Sequence, residues 1–117
     1  MEDISKMNVP ELENLLIRCA GSAEKKGLVW ADKKALSDSM EDKRKVILAD
    51  AAPLEGTEAG KERESLKSES YKTFLSGLQV ARGEANRAYV EYSSAKDKFE
   101  AIRSILSNRR EEMKRGL

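Results

Sequence analysis

The sequence contains no histidine and only one cysteine, Cys19, among its 117 residues. A single cysteine excludes an internal disulfide and leaves no cluster of thiolates and imidazoles for zinc. Because histidine is the side chain that titrates nearest neutral pH, acid–base catalysis would depend on carboxylates, lysines or Cys19. None of these forms a recognisable catalytic arrangement. We therefore expect a protein that is not an enzyme and needs no metal or cofactor.

The chain also lacks a large net charge and long runs of apolar residues. The net charge is only +1, and aromatic residues make up 5% of the chain. No stretch approaches the ~20 apolar residues of a membrane-spanning helix, and the acidic residues 2 and 3 are followed by no apolar run of the kind found in a secretory signal. We expect an intracellular protein without a membrane partner, in which any nucleic-acid contact would come from a local basic patch.

The strongest positive feature is an apolar repeat in the second half of the chain. Apolar residues recur at alternating steps of three and four, which is the pattern of a helix that packs along one stripe against another helix. Twelve of the thirteen positions are apolar: Tyr71, Phe74, Leu78, Ala81, Ala85, Ala88, Tyr92, Ala95, Phe99, Ile102, Leu106, Arg109 and Met113. Arg109 is the exception. The repeat predicts an all-α fold with a long coiled-coil helix over residues 69–115.

A first long helix is predicted over residues 9–51. Asn8 and Glu11 have the spacing of a capping box, and Met7 and Leu12 that of a hydrophobic staple. The apolar stripe is weaker than in the second helix, because Lys26, Lys33, Ser37 and Arg44 occupy positions in it. Gly27 allows a joint between two helices, but we favour one continuous helix, straight or bent.

Residues 52–68 interrupt the periodicity with one proline and two glycines and are predicted to form the connection. Within it, residues 61–67 have the pattern of a short helical turn with Leu66 directed inward. Two long helices joined in this way run antiparallel, so residues whose numbers add to about 120 should meet. Trp30 would then pack on the small residues Ala85 and Ala88. We expect a single helical domain spanning residues 1–117.

Several apolar residues fall outside the predicted stripe and would need a cover. They are Leu15, Val29, Leu36, Val46, Leu48, Val80, Tyr89, Val90 and Ile105. A second copy of the hairpin would supply this cover and form a four-helix bundle, so the sequence predicts a homodimer.

Two functional hypotheses follow from this composition. The first is a non-enzymatic protein-interaction module, an adaptor or an inhibitor, that binds a partner protein through Val29, Leu36, Tyr89 and Val90. The alternative is an accessory DNA-binding factor of recombination or replication that uses a basic helix tip. The residues of that tip are Arg18, Arg103, Arg109, Arg110, Lys114 and Arg115.

Three segments carry a resemblance to a known group of proteins. Residues 22–31, 68–78 and 99–104 resemble small helical, coil-containing proteins of tailed bacteriophages, whose function is unassigned. The resemblance implies a phage origin and a non-structural role in the cytoplasm of an infected or lysogenic bacterium. It supplies no catalytic motif.

Overall fold

The computed structural model describes residues 3–53 and 55–116, and every regular element in these ranges is helical. A 3-10 turn at Ile4–Lys6 precedes three α-helices: α1 (Val9–Asp50), α2 (Glu58–Lys67) and α3 (Glu69–Lys114). The all-α prediction is confirmed. Both long helices end within one residue of the boundaries that the sequence predicts, and α1 is continuous through Gly27. Leu54, in the predicted connection, lies outside the described residues.

The connection contains more helix than expected. The predicted turn over residues 61–67 is the second part of the ten-residue helix α2, which begins after its cap, Thr57. Leu66 is 43% exposed, so the prediction that it faces inward was wrong. Its neighbour Ser65 is buried instead. The Ser65 hydroxyl donates a hydrogen bond to the carbonyl of Lys61, so this buried polar group has a partner.

The chain divides into two compact units. Unit 1 comprises the described residues up to Val29 and from Ala88 onward, and unit 2 comprises Trp30–Arg87. α1 and α3 therefore contribute to both units. The prediction of a single domain is not tested by this division and stays a prediction.

In unit 1, the start of α1 packs against the end of α3. The buried cluster consists of Met7, Leu12, Leu15, Cys19, Ile102 and Leu106, with Leu16 and Ile105 packed against it. Leu15 and Ile105 are thus covered within one chain and need no second copy, contrary to the sequence-based expectation. The capping box is present, since Glu11 N donates to Asn8 Oδ1 at 2.9 Å and Asn8 N to Glu11 Oε1 at 3.3 Å.

Gly27 has a packing role in unit 1. A Cβ atom at this position would lie 3.1 Å from Cε1 of Tyr92, so the tyrosine ring occupies the space that a side chain would need. Gly27 and Tyr92 are a pair of the kind expected for antiparallel helices folded near residue 60. The same pairing holds at the chain ends, where Arg109 contacts Met7.

In unit 2, the end of α1 pairs with the start of α3 in the same antiparallel sense. Leu78, Ala81 and Ala85 are buried there, and Trp30 is partly buried. Ala88, in unit 1, is also buried. The packing of Trp30 on the alanines stays a prediction. The antiparallel pairing expected of a helical hairpin is confirmed in each unit.

Candidate functional site

Polar residues in the stripe of α1 make specific contacts across the helix pair of unit 2. Lys33 Nζ lies 3.1 Å from Glu84 Oε2, and Arg44 Nε donates to the Tyr71 hydroxyl at 3.0 Å. Tyr71 is only 3% exposed, so Arg44 satisfies a polar group that would otherwise be costly to bury. The hydrogen bond to Tyr71 raises the pKa of Arg44 above its ordinary value.

Beside the Lys33–Glu84 pair lies an exposed apolar surface. Leu36 follows Lys33 by one turn of α1, and Val80 precedes Glu84 by one turn of α3. Because the two helices run antiparallel, both residues lie one turn away from the ion pair in the same direction along the helices. Leu36 is 52% exposed and Val80 61% exposed. One turn further, the methyl group of Met40 lies 3.4 Å from where a Cβ atom of Gly77 would be.

We call these four residues, Leu36, Met40, Gly77 and Val80, the unit-2 patch. Leu36 and Val80 are large side chains that water can reach, Met40 is flexible and partly buried, and Gly77 has no side chain above the backbone. Charged residues border the patch at both ends: the Lys33–Glu84 pair at one, and Lys43, one turn beyond Met40, at the other. An apolar centre with a charged border is the composition of a protein-binding surface.

The other three predicted partner-binding residues lie outside unit 2. Val29, Tyr89 and Val90 belong to unit 1, where each is at least 49% exposed. Tyr89 and Val90 are consecutive in α3, so their side chains point about 100° apart and do not share one face. Their role as partner contacts stays a prediction.

The basic residues proposed to bind DNA lie in unit 1, and most of them have partners within the chain. Arg109 donates from Nη1 to the carbonyl of Met7 at 2.7 Å and from Nη2 to that of Ser5 at 2.6 Å. Arg110 lies 3.1 Å from a carboxylate oxygen of Glu13.

Within α3 itself, Arg103 pairs with Glu100 and Lys114 with Glu111. Arg18 and Arg115 are exposed. Arg103, Arg110 and Lys114 line one cleft of about 590 Å³, together with Ser107, Asn108 and the acidic Glu111. The cleft gathers three cations, but each already has a carboxylate beside it, and exposed pairs of this kind hold little surplus positive charge for a phosphate.

The contacts of Arg109 explain why the apolar repeat of α3 has a polar residue at this one position. Its forked guanidinium binds the carbonyls at the end of the 3-10 turn, which have no partners in a regular helix. The sequence signal was present as a lone arginine in an apolar stripe, but the stripe alone did not show what it would bind. Arg109 therefore holds the N-terminal segment against α3 through these two hydrogen bonds.

A further groove, of about 690 Å³, lies in unit 2 between the end of α1 and α2. Its apolar lining is mostly small, with Leu48 the largest side chain and the rest contributed by Ala49, Ala52, Pro53 and Ala59. The binding energy of a protein interface depends on a few large side chains. This groove is therefore a weaker candidate for a protein-binding site than the unit-2 patch, where Leu36 and Val80 are exposed.

Potential metal ligands are not grouped in the described parts of the chain. No group of three or more carboxylate or thiol ligands comes together in residues 3–53 and 55–116. Cys19 is buried in the core of unit 1. None of the described helices is both long and apolar enough to cross a membrane.

Comparisons with protein families, with curated proteins and with solved structures found no match. The functional argument therefore depends on the surface of the chain itself.

Proposed function

We propose that this chain is a non-enzymatic protein-interaction module whose main contact surface is the unit-2 patch. The observation that carries the proposal is the exposure of Leu36 and Val80 on one side of a helix pair, bordered by charge. Because Leu36 and Val80 are already about half-buried, covering the rest of each side chain against a partner would contribute about 1–1.5 kcal/mol, roughly half of the value for a fully exposed side chain. Homodimerisation, with a second copy as one of the partners, is part of the same proposal.

The resemblance to phage proteins supports a proposal for where this module acts. We propose that the module acts in the cytoplasm of a bacterium, as an adaptor or as an inhibitor of a host or phage protein. A rigid pair of helices suits either role, because it presents side chains at fixed spacing with little ordering cost on binding.

The test is a capture experiment with matched variants. The tagged protein, the double variant Leu36→Glu/Val80→Glu and the control Ile17→Glu/Leu28→Glu are each incubated with bacterial lysate. Ile17 and Leu28 are exposed apolar residues of unit 1, at 70% and 62%, so the control adds the same charge elsewhere. We expect a protein that the unmodified chain and the control retain and the patch variant loses. Equal capture by all three, or by none together with no self-association, would contradict the proposal.

The DNA-binding alternative depends on the cleft that Arg103, Arg110 and Lys114 share, and a phosphate there would have to displace the carboxylate beside each cation. Three phosphate contacts would give a salt slope near −0.9 per contact, or a loss of about 40-fold in affinity between 50 and 200 mM salt. Fluorescence anisotropy of a labelled DNA duplex measures this slope directly. Replacing the three cations by glutamine should abolish it, and no binding by the unmodified protein at 50 mM salt would remove the alternative.

A further inference from the structure

The two units differ in the size of the apolar side chains that they bury. Among the described residues, five large apolar side chains are buried in unit 1 and two in unit 2, where the other buried apolar residues are alanines. They are Met7, Leu12, Leu15, Ile102 and Leu106 in unit 1, and Tyr71 and Leu78 in unit 2. Burying one large apolar side chain favours the closed helix pair by roughly tenfold or more, and an alanine methyl group contributes much less. The apolar core of unit 2 is therefore the weaker one.

Unit 2 also contains a network of polar contacts that crosses from α1 to α3 twice. Glu41 of α1 pairs with Arg82 of α3. On the other side, Glu41 lies 3.6 Å from Arg44, one turn further along α1. Arg44 in turn donates from Nε to the hydroxyl of Tyr71 in α3 at 3.0 Å. We call these four residues the unit-2 polar network.

The contact between Arg44 and Tyr71 is the strongest link of this network. Tyr71 is 3% exposed, so a hydroxyl that lost its donor would stay buried without a partner. Such a loss disfavours the closed state by about 5- to 150-fold. The side chains of Glu41 and Arg82 are 41% and 47% exposed, and an ion pair with this access to water adds little by itself.

We infer that the helix pair of unit 2 opens locally while unit 1 stays closed, and that the hydrogen bond from Arg44 to Tyr71 is its main restraint. Helical proteins open in cooperative segments of unequal stability, and the segment with the smaller buried core opens at the lower free energy. Opening exposes the apolar residues of α3 that the closed pair buries, Leu78, Ala81 and Ala85. This motion is independent of what the unit-2 patch binds.

Chain connectivity opposes this order of opening, but by a smaller factor. When unit 1 is closed, unit 2 is a segment held at both of its ends, because it consists of residues 30–87. Holding a loop about eight times longer than the connection between α1 and α2 costs roughly 20-fold. The three additional large side chains that unit 1 buries favour its closed state by roughly a thousandfold. Unit 2 should therefore open first.

Native-state hydrogen exchange of the full chain measures the two openings separately. After correction for intrinsic rates, we expect the amides of residues 71–85 to exchange at least ~10-fold faster than those of residues 99–106. Both segments belong to α3, so the comparison is made within one helix. Equal protection of the two segments, or faster exchange at residues 99–106, would overturn the inference.

Three variants test the restraint. Arg44→Met keeps an unbranched apolar side chain but removes the donor to Tyr71, so exchange at residues 71–85 should accelerate about 5- to 150-fold. Exchange at residues 99–106 should change less than about twofold, because unit 1 does not contain the contact. Lys34→Met is the matched control, since it removes a cation whose partner, Asp38, lies in the same helix. It should leave both segments unchanged. Adding Tyr71→Phe to Arg44→Met should slow the exchange again, because no buried hydroxyl then lacks a partner.

The variants have outcomes that separate a local restraint from a general loss of stability. If Arg44→Met accelerates both segments by the same factor, the units open together and the inference is overturned. The same conclusion follows if Lys34→Met has an equal effect on residues 71–85. If Tyr71→Phe does not slow exchange in the Arg44→Met background, the buried hydroxyl is not what Arg44 restrains.

Discussion

Replacing Gly27 by alanine should destabilise the protein, although glycine-to-alanine changes inside helices usually stabilise. Alanine is favoured over glycine by about 1 kcal/mol in a helix interior. At Gly27, however, the new Cβ atom would lie 3.1 and 3.2 Å from two carbon atoms of the Tyr92 ring. Overpacking of this kind costs about 1–3 kcal/mol, so the net change is between about zero and a loss of 2 kcal/mol.

Gly21 provides the matched control in the same helix and the same unit. No atom lies within 4 Å of a Cβ built at this position, so Gly21→Ala should stabilise by about 0.5–1 kcal/mol. The two variants should differ by about 1–3 kcal/mol in the free energy of unfolding, with Gly27→Ala the less stable. Urea denaturation followed by circular dichroism at 222 nm resolves a difference of this size.

The double variant Gly27→Ala/Tyr92→Leu tests the cause. Because leucine lacks the ring that meets the new methyl group, Gly27→Ala should be tolerated better in the Tyr92→Leu background than alone, and the double-mutant cycle should give a coupling of about 0.5–3 kcal/mol. If Gly27→Ala stabilises as much as Gly21→Ala, the ring does not cover Gly27 and the antiparallel pairing in unit 1 is incorrect.

Three further changes test other contacts. Arg109→Leu removes the hydrogen bonds to the carbonyls of Ser5 and Met7, which should cost about 1–2 kcal/mol of local stability. Amide hydrogen exchange at residues 6–8 should therefore accelerate about 5- to 30-fold. Unchanged exchange would contradict the role of Arg109 in holding the N-terminal segment. Asn8→Ala should cost about 1 kcal/mol because it removes the helix cap, whereas Asn14→Ala, on the exposed face of α1, should not destabilise; equal effects would argue against the capping box. Ala88→Leu should lower the thermal midpoint because the site is buried and the added volume overpacks it by about 1–3 kcal/mol, and Ala101→Leu, at an exposed site, serves as its control.

The sequence predicted those elements that a repeated pattern or a local motif specifies. The 3-4 repeat from Tyr71 predicted α3, and Asn8 with Glu11 predicted the start of α1, because each signal depends on nearby residues alone. The start of α2 was missed, since residues 58–67 are mostly charged and contain one large apolar residue, Leu66, that is exposed. A helix without an apolar stripe leaves little trace in hydrophobic periodicity.

The candidate site was only partly predictable for a related reason. Leu36 and Val80 were recognisable as apolar residues outside the stripe, but so were Leu15 and Ile105, which the core of unit 1 covers. Spacing within one helix does not show which off-stripe residues a neighbouring helix reaches. The Lys33–Glu84 contact supplied that information, because it shows which sides of α1 and α3 meet at the patch.

The central claim is that the unit-2 patch is a protein contact surface, and methyl NMR observes it most directly. Spectra of the chain labelled at leucine, valine and methionine methyl groups would be recorded between 5 and 500 µM. We predict that the resonances of Leu36, Met40 and Val80 shift with concentration while those of Leu28 stay constant. Resonances of the patch that do not change with concentration, nor on addition of any protein captured from lysate, would contradict the claim.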